Sequence, residues 1–250
     1  MRLKVSPAEW QARLECAALY RLVALHGWTD LIFNHISVRV LEDDERILVN
    51  PYGWLYEEIT ASSLITVDLQ GNILLNPHDT EVGINPAGYI IHSAIHSARP
   101  NVACVIHTHS RAGMAVSAMK CGLLPMTQTA IGCFPLAYHD YEGPTLNSSE
   151  KDRLITDLGD CNYLVLRNHG LLVCGCTAAH AFRSIHLFET ACASQVDAIR
   201  CGDGLVLISE QVVRDSHERL EIGSSQMNAT PLYWPALLRM LDRRDPSWRA

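Results

Sequence analysis

Val102-Ala103-Cys104-Val105-Ile106-His107-Thr108-His109 decides the fold class, because it reads as a buried strand that ends in two histidines. Side chains on a strand repeat every two residues, so both imidazoles leave the strand end on the same side. There they can grip one metal ion, and imidazole is the commonest protein ligand for zinc and its neighbours. A second apolar run, Tyr163-Leu164-Val165-Leu166, ends similarly in Arg167-Asn168-His169-Gly170. If the two strands end at one edge of one sheet, His107, His109 and His169 converge. Three imidazoles leave coordination positions open for water or substrate, which suits a catalytic ion better than a structural one.

Working outward, Ser6-Pro7-Ala8-Glu9 is a capping box with proline at the first helical position. It opens an amphipathic helix through Trp10, Leu14, Ala17, Ala18 and Leu22 to a glycine stop at Gly27. Alternating patterns predict strands over 35–40, over 46–50 and around 64–67, the last leading to a turn at Gln70-Gly71-Asn72. Asn85-Pro86 starts a helix through Ile90, Ile91 and Ile95, and Arg99-Pro100 ends it. A helix from about Ser110 to Lys120 follows the first metal strand. Within 121–146, Thr129-Ala130-Ile131 and Leu136-Ala137-Tyr138 look strand-like. Asn147-Ser148-Ser149-Glu150 caps a helix to Gly159, residues 163–175 form a hairpin turning at Asn168-His169-Gly170, and Thr177 begins a long helix ending near Arg200. Two shorter helices, 209–220 and 231–242, finish the chain. Helices alternate with and flank strands, so one layered α/β domain over 1–250 is a more economical reading than two small domains.

Composition narrows the function classes. Of the 250 residues 48% are apolar, enough for a sizeable core. A formal charge of −7 argues against wholesale binding of nucleic acid, which needs a basic surface. No apolar run approaches the roughly 20 residues of a membrane span, and no apolar signal region follows the positively charged start. The nine cysteines contain no CxxC pair, and several (Cys16, Cys104, Cys192) sit in apolar periodic segments as small hydrophobes. A reduced, cytoplasmic protein is expected. Cys174-Gly175-Cys176 has no matching cysteine pair elsewhere with which to build a soft-metal site.

Taken together and in order, Asn34-His35-Ile36-Ser37-Val38-Arg39, Ile84-Asn85-Pro86-Ala87-Gly88, Arg99-Pro100-Asn101-Val102, His107-Thr108-His109, Tyr138-His139-Asp140-Tyr141-Glu142-Gly143 and Asn168-His169-Gly170 resemble the class II aldolase/adducin family over most of the chain. That family includes sugar-phosphate aldolases, an epimerase, a dehydratase, some decarboxylases and the head domain of adducin. The resemblance implies a three-layer α/β/α sandwich around a mainly antiparallel sheet, and homotetramers with active sites between subunits. It also implies one divalent metal ion on His107, His109 and His169. Zn2+ suits nitrogen ligation, and imidazole also accepts Mn2+ or Fe2+.

The departures from the family matter as much. Where the aldolases place an acidic residue, this chain has Gly88. Their phosphate-binding serines correspond to Pro86 and Ala87, and their Gly-Asn pair to Asn34-His35. A phosphate dianion needs donors and positive potential, and Pro86 has no N–H. In these replacements the chain looks closer to the adducin-head branch.

Other polar residues have plainer readings beside functional ones. His92 and His96 share one helix face without an intervening glutamate, so packing or support of the site suits them best. Tyr138 to Glu142 reads as a solvated turn, or as a source of the missing acid–base group through His139 or Tyr141. Tyr233 lies where several family enzymes reach a tyrosine into a neighbouring subunit, although core or interface packing explains it better.

The reading that follows is a metal-dependent lyase, of aldolase or decarboxylase type, acting on a small non-phosphorylated carbonyl or hydroxy-acid substrate through a metal-stabilised enediolate or enolate. Two alternatives are a non-catalytic binding or assembly module like the adducin head, and an iron-dependent oxidative decarboxylase on the same three histidines.

Overall fold

The computed structural model describes residues 1–41, 45–78, 81–143, 148–216 and 230–250. Helix α1 (Pro7–Leu25) begins as its capping signal predicts, with the Ser6 hydroxyl accepting the Glu9 N–H at 3.1 Å. The chain leaves the helix through Gly27 at φ 70°, a conformation that costs glycine little. Inside the helix, Arg13 is fully buried, yet its charge is matched by Glu9, by Thr66 and by the Leu64 carbonyl. The Tyr20 hydroxyl donates to the Ile36 carbonyl at 2.7 Å and accepts the Ile36 N–H at 3.0 Å. These contacts pin the helix to the start of the first strand.

Eight strands form one sheet in the order β4-β3-β2-β1-β5-β8-β7-β6. They are β1 (Ile36–Arg39), β2 (Arg46–Val49), β3 (Ile65–Asp68), β4 (Ile73–Leu75), β5 (Cys104–Thr108), β6 (Leu136–His139), β7 (Tyr163–Leu166) and β8 (Gly170–Gly175). Every neighbouring pair is antiparallel except β6 and β7. Strand β5 is buried along its whole length, as a strand covered on both faces must be. Its Cys104 and Ile106 join the cluster of α1 and α6 (Ala178–Cys201). Its Val105 faces the opposite cluster, built on Ile91 and Ile95 of α2 (Pro86–Ala98) and Leu154 and Leu158 of α5 (Ser148–Leu158). The result is a three-layer α/β/α sandwich with a central, mainly antiparallel sheet.

Thr129-Ala130-Ile131 is not a strand. It belongs to a short helix, α4 (Gln128–Ile131), whose N-terminus the Thr127 hydroxyl caps by accepting the Ala130 N–H at 3.1 Å. A three-residue apolar run carries no period of its own, so the cap and the packing on α6 decide it. The helix expected over 110–120 is shorter, α3 (Arg111–Ser117), and strand β4 follows directly on the turn at Gln70-Gly71-Asn72, where no strand was expected. Helical structure is present over 210–216. Residues 217–220 of the 209–220 prediction, and the Asn147 cap, fall outside the described residues. The C-terminal helix is α7 (Thr230–Arg244). Among the described residues no helix is long and apolar enough to cross a membrane.

Candidate metal centre

Strands β5 and β7 both run antiparallel to β8, which lies between them. They therefore run in the same direction and end at the same sheet edge. Strand β6 is parallel to β7, so it ends there too, and β1, antiparallel to β5, begins there. The edge thus collects His107 from β5 and His109 just after it, His169 from the β7–β8 turn, His139 from β6 and His35 just before β1. The turn is tight: Asn168 adopts φ 55°, and a Cβ on Gly170 would meet the Thr108 carbonyl at 2.3 Å. Only glycine lets β8 start that close to the end of β5.

His107, His109 and His169 meet through their Nε2 atoms, at 2.7 Å (107 to 109), 2.9 Å (109 to 169) and 3.3 Å (107 to 169). Among the described residues, these three are the group of potential ligands whose donor atoms converge. For His107 and His109 the other ring nitrogen settles the tautomer. His107 Nδ1 lies 2.9 Å from the Leu171 carbonyl, and His109 Nδ1 lies 2.9 Å from Asp30 Oδ2. A carbonyl and a carboxylate can only accept, so both Nδ1 atoms carry the proton, and in the neutral rings both Nε2 atoms present a lone pair. Burial, then the neighbouring His109 and His169, hold His107 well below the usual histidine range; burial and His109 lower His169 to about 4.

Two bare nitrogens 2.7 Å apart repel unless a cation lies between them. Imidazole nitrogens bound about 2.0–2.1 Å from one tetrahedral ion sit roughly 3.3 Å from each other, so the triangle is the right shape and slightly tight. The donor set therefore fits a divalent cation held by three neutral imidazoles. Asp30 and the Leu171 carbonyl orient two of them, as such partners do in metal sites.

The other face of β5 anchors this corner. Thr108 Oγ1 donates to Glu189 of α6 at 2.5 Å, and Ser110 donates to the same carboxylate while capping α3 through the Gly113 N–H at 2.9 Å. Sequence reading missed Asp30 and Glu189. Asp30 lies 79 residues from its partner in a loop without periodicity, so no local signal marks it.

His92 and His96 share Ser37 Oγ, at 2.6 Å from His92 Nδ1 and 2.8 Å from His96 Nε2. The His96 carbonyl accepts Arg39 Nη2 at 2.5 Å. Both rings thus tie α2 to β1, and burial is the main cause that lowers both, His96 to about 3. Gly88, at the start of α2, lies against the ring of His35: a Cβ there would sit 2.2 Å from His35 Cε1. His35 in turn opposes His107, whose N–H donates to the His35 carbonyl at 3.0 Å. The two departures noted at 35 and 88 are therefore one structural event, since the imidazole occupies the space that a side chain at 88 would need. Of the acid–base candidates, His139 is buried and lines a cavity with His169, whereas Tyr141 is 53% exposed with its ring 6.1 Å from that of His169. The Tyr233 hydroxyl donates to the Ala179 carbonyl of its own chain at 2.9 Å.

Residues 14–196 match the family of the class II aldolase and adducin N-terminal domain. A Caulobacter vibrioides protein whose name places it among class 2 aldolases is 50% identical, across 98% of this chain and 94% of its own length. Rat alpha-adducin is 42% identical over 92% of this chain, but that match takes in 33% of adducin. An aldolase II superfamily protein from Pseudomonas syringae superposes with a TM-score of 0.94 at 45% identity, covering 100% and 99% of the two chains. L-fuculose 1-phosphate aldolase from Glaciozyma antarctica superposes at 0.82 with 26% identity, covering 97% and 93%. The chain belongs to the class II aldolase and adducin family.

Proposed function

We propose that this chain is a metal-dependent lyase that cleaves a carbon–carbon bond in a small, non-phosphorylated carbonyl or hydroxy-acid substrate. The observation that carries the reading is the convergence of three imidazole Nε2 atoms, two with lone pairs dictated by Leu171 and Asp30. His107, His109 and His169 would hold the ion, with zinc the first choice and manganese or iron the alternatives. A bound divalent cation supplies Lewis-acid polarisation of substrate oxygens, which favours charge developing as the bond breaks. The chain's own contribution is to present three neutral ligands at a sheet edge and leave the remaining face open.

The exclusion of phosphate rests on the start of α2. Pro86 brings no N–H there, and His35 fills the space over Gly88. Without a carboxylate at 88, decarboxylation is slightly favoured over retro-aldol cleavage, since it needs no base to remove a hydroxyl proton. The reading carries with it a cytoplasmic homotetramer whose sites lie between subunits. Exposed apolar side chains at Leu31, Phe33 and Met114, on the segments beside His109, support burial of this edge in an assembly.

A second reading is a binding or assembly module, favoured by the similarity to adducin. Metal analysis of protein purified without added metal separates the two. The lyase reading expects about one ion per chain, abolished in His107→Ala/His109→Ala with fold and assembly retained. No metal in the native protein and no stabilisation by zinc, manganese or iron would favour the module. Iron with oxygen uptake would instead mark an oxidative decarboxylase.

A further inference from the structure

Beside His169 lies a cavity lined by Ile91, His139, Tyr141, Glu150 and Leu166, and it contains a histidine that the three-imidazole cluster does not use. His139 ends β6, and its alternation with Ala137, which packs against the α2/α5 cluster, turns its ring to the same face of the sheet as His107. The side chain is 4% exposed. Its Nδ1 lies 2.7 Å from Asp157 Oδ2, and because a carboxylate only accepts, Nδ1 carries the proton. Nε2 is buried without a hydrogen-bond partner, and in the neutral ring it is bare. The nearest carboxylate oxygen to it, Glu150 Oε1, is 3.5 Å away. A buried polar atom left unpaired calls for an explanation, a catalytic role or a bound partner among them, and His139 differs from the other such atoms in lining a cavity with His169. An imidazole held by a carboxylate on one nitrogen, with the other unpaired beside a small cavity that it lines together with His169, is the arrangement of a proton-transfer group.

We propose that His139 is the proton-transfer residue of this site, with Asp157 as its positioning residue, and that it takes the task of the carboxylate absent at Gly88. The inference rests on the lyase reading. In retro-aldol cleavage, neutral Nε2 takes the substrate hydroxyl proton. The carbon–carbon bond then breaks, the carbonyl product leaves, and the carbon that keeps the electron pair receives the same proton back. In decarboxylation, carbon dioxide leaves without its bonding pair. The remaining carbon takes the Nε2 proton of the imidazolium, and water replaces it. Throughout, Nδ1–H stays on Asp157, whose side chain is 43% exposed and so in reach of that water. In the charged state of the ring, Glu150 lies on the Nε2 side and Asp157 on the Nδ1 side, so the imidazolium is flanked by both carboxylates.

The test reads the reverse of proton delivery, which needs no knowledge of the natural substrate. The zinc-loaded full chain is incubated with hydroxyacetone or pyruvate in D2O, and exchange at the carbon next to the carbonyl is followed by proton NMR. The native protein is expected to exchange at least one probe. His139→Gln should slow that exchange about 100-fold or more while binding the same amount of zinc. A second readout needs no turnover: nitrogen-15 NMR of the metal-free native chain should place the His139 proton on Nδ1, and Asp157→Asn should shift it toward Nε2. Undiminished exchange in His139→Gln, or an Nε2–H tautomer in the native chain, overturns the inference and leaves the lyase reading standing. A zinc-loaded native protein that exchanges neither probe overturns both.

Discussion

Substituting Gly88 by alanine tests the placement of His35 without any assay of function. On an ordinary helix, glycine to alanine stabilises by about 0.5–1 kcal/mol; Gly88 is the third residue of α2, so the lower end of that range applies. Here the new Cβ would lie 2.2 Å from His35 Cε1 and 2.3 Å from Nδ1, and forcing a methyl into packed surroundings costs about 1–3 kcal/mol. The net expectation is a destabilisation of about 0.5–2.5 kcal/mol, opposite in sign to the helix propensity. In a His35→Ala background the obstruction is gone and Gly88→Ala should stabilise by about 0.5 kcal/mol. The coupling between the two sites is then about 1–3 kcal/mol, well above the roughly 0.3–0.5 kcal/mol within which independent sites add. Urea unfolding of the four metal-free proteins at pH 7 measures it directly. If Gly88→Ala stabilises the native chain, or the two changes simply add, the imidazole does not occupy the space over residue 88. By the same logic Gly88→Glu alone should fold poorly and recover when combined with His35→Asn.

Other consequences can be checked independently. Asp30→Asn replaces the charged, acceptor-only group that keeps the His109 proton on Nδ1 by a neutral amide that can also donate, and metal affinity should fall about 10–100-fold, read by competition with a chelator; unchanged affinity would leave Asp30 without a role in the site. Acid should destabilise the metal-free chain through its buried neutral histidines. Unfolded histidines take up protons below about 6.5, whereas His96 resists until about 3, so the unfolded state binds more protons across that window. For His96 alone, stability is then full above about 6.5 and falls by about 1.4 kcal/mol per pH unit below it. Urea midpoints that stay constant between pH 7 and pH 5 would contradict this. Fuculose 1-phosphate and related sugar phosphates should not be cleaved by the zinc-loaded protein, and robust turnover of any of them would refute the exclusion argued from Pro86, Gly88 and His35.

Much of the architecture was legible because it is written in local periods and caps. Ser6 to Glu9 marked the first helix, and Val102 to Ile106 marked a strand covered on both faces. Thr129 to Ile131 was misread because three apolar residues cannot distinguish a period of 2 from one of 3.6. Strand β4 was missed for a related reason. Three residues beside the turn at Gln70-Gly71-Asn72 carry too little pattern to stand out, and their pairing with β3 alone makes them a strand.

The three histidines could be named from the chain because each sits at the end of an apolar run, where alternation dictates the side of the sheet it faces. What the linear order could not carry was distance. Asp30 and His109, His139 and Asp157, or His35 and Gly88 are brought together only when antiparallel pairing and helix packing fold remote segments onto one edge. The protonation pattern of the site follows from those remote partners, since a ring nitrogen keeps or gives up its proton according to the acceptor it meets. Sequence therefore determined which residues can serve as ligands, and tertiary contact decided which of their atoms face inward bare.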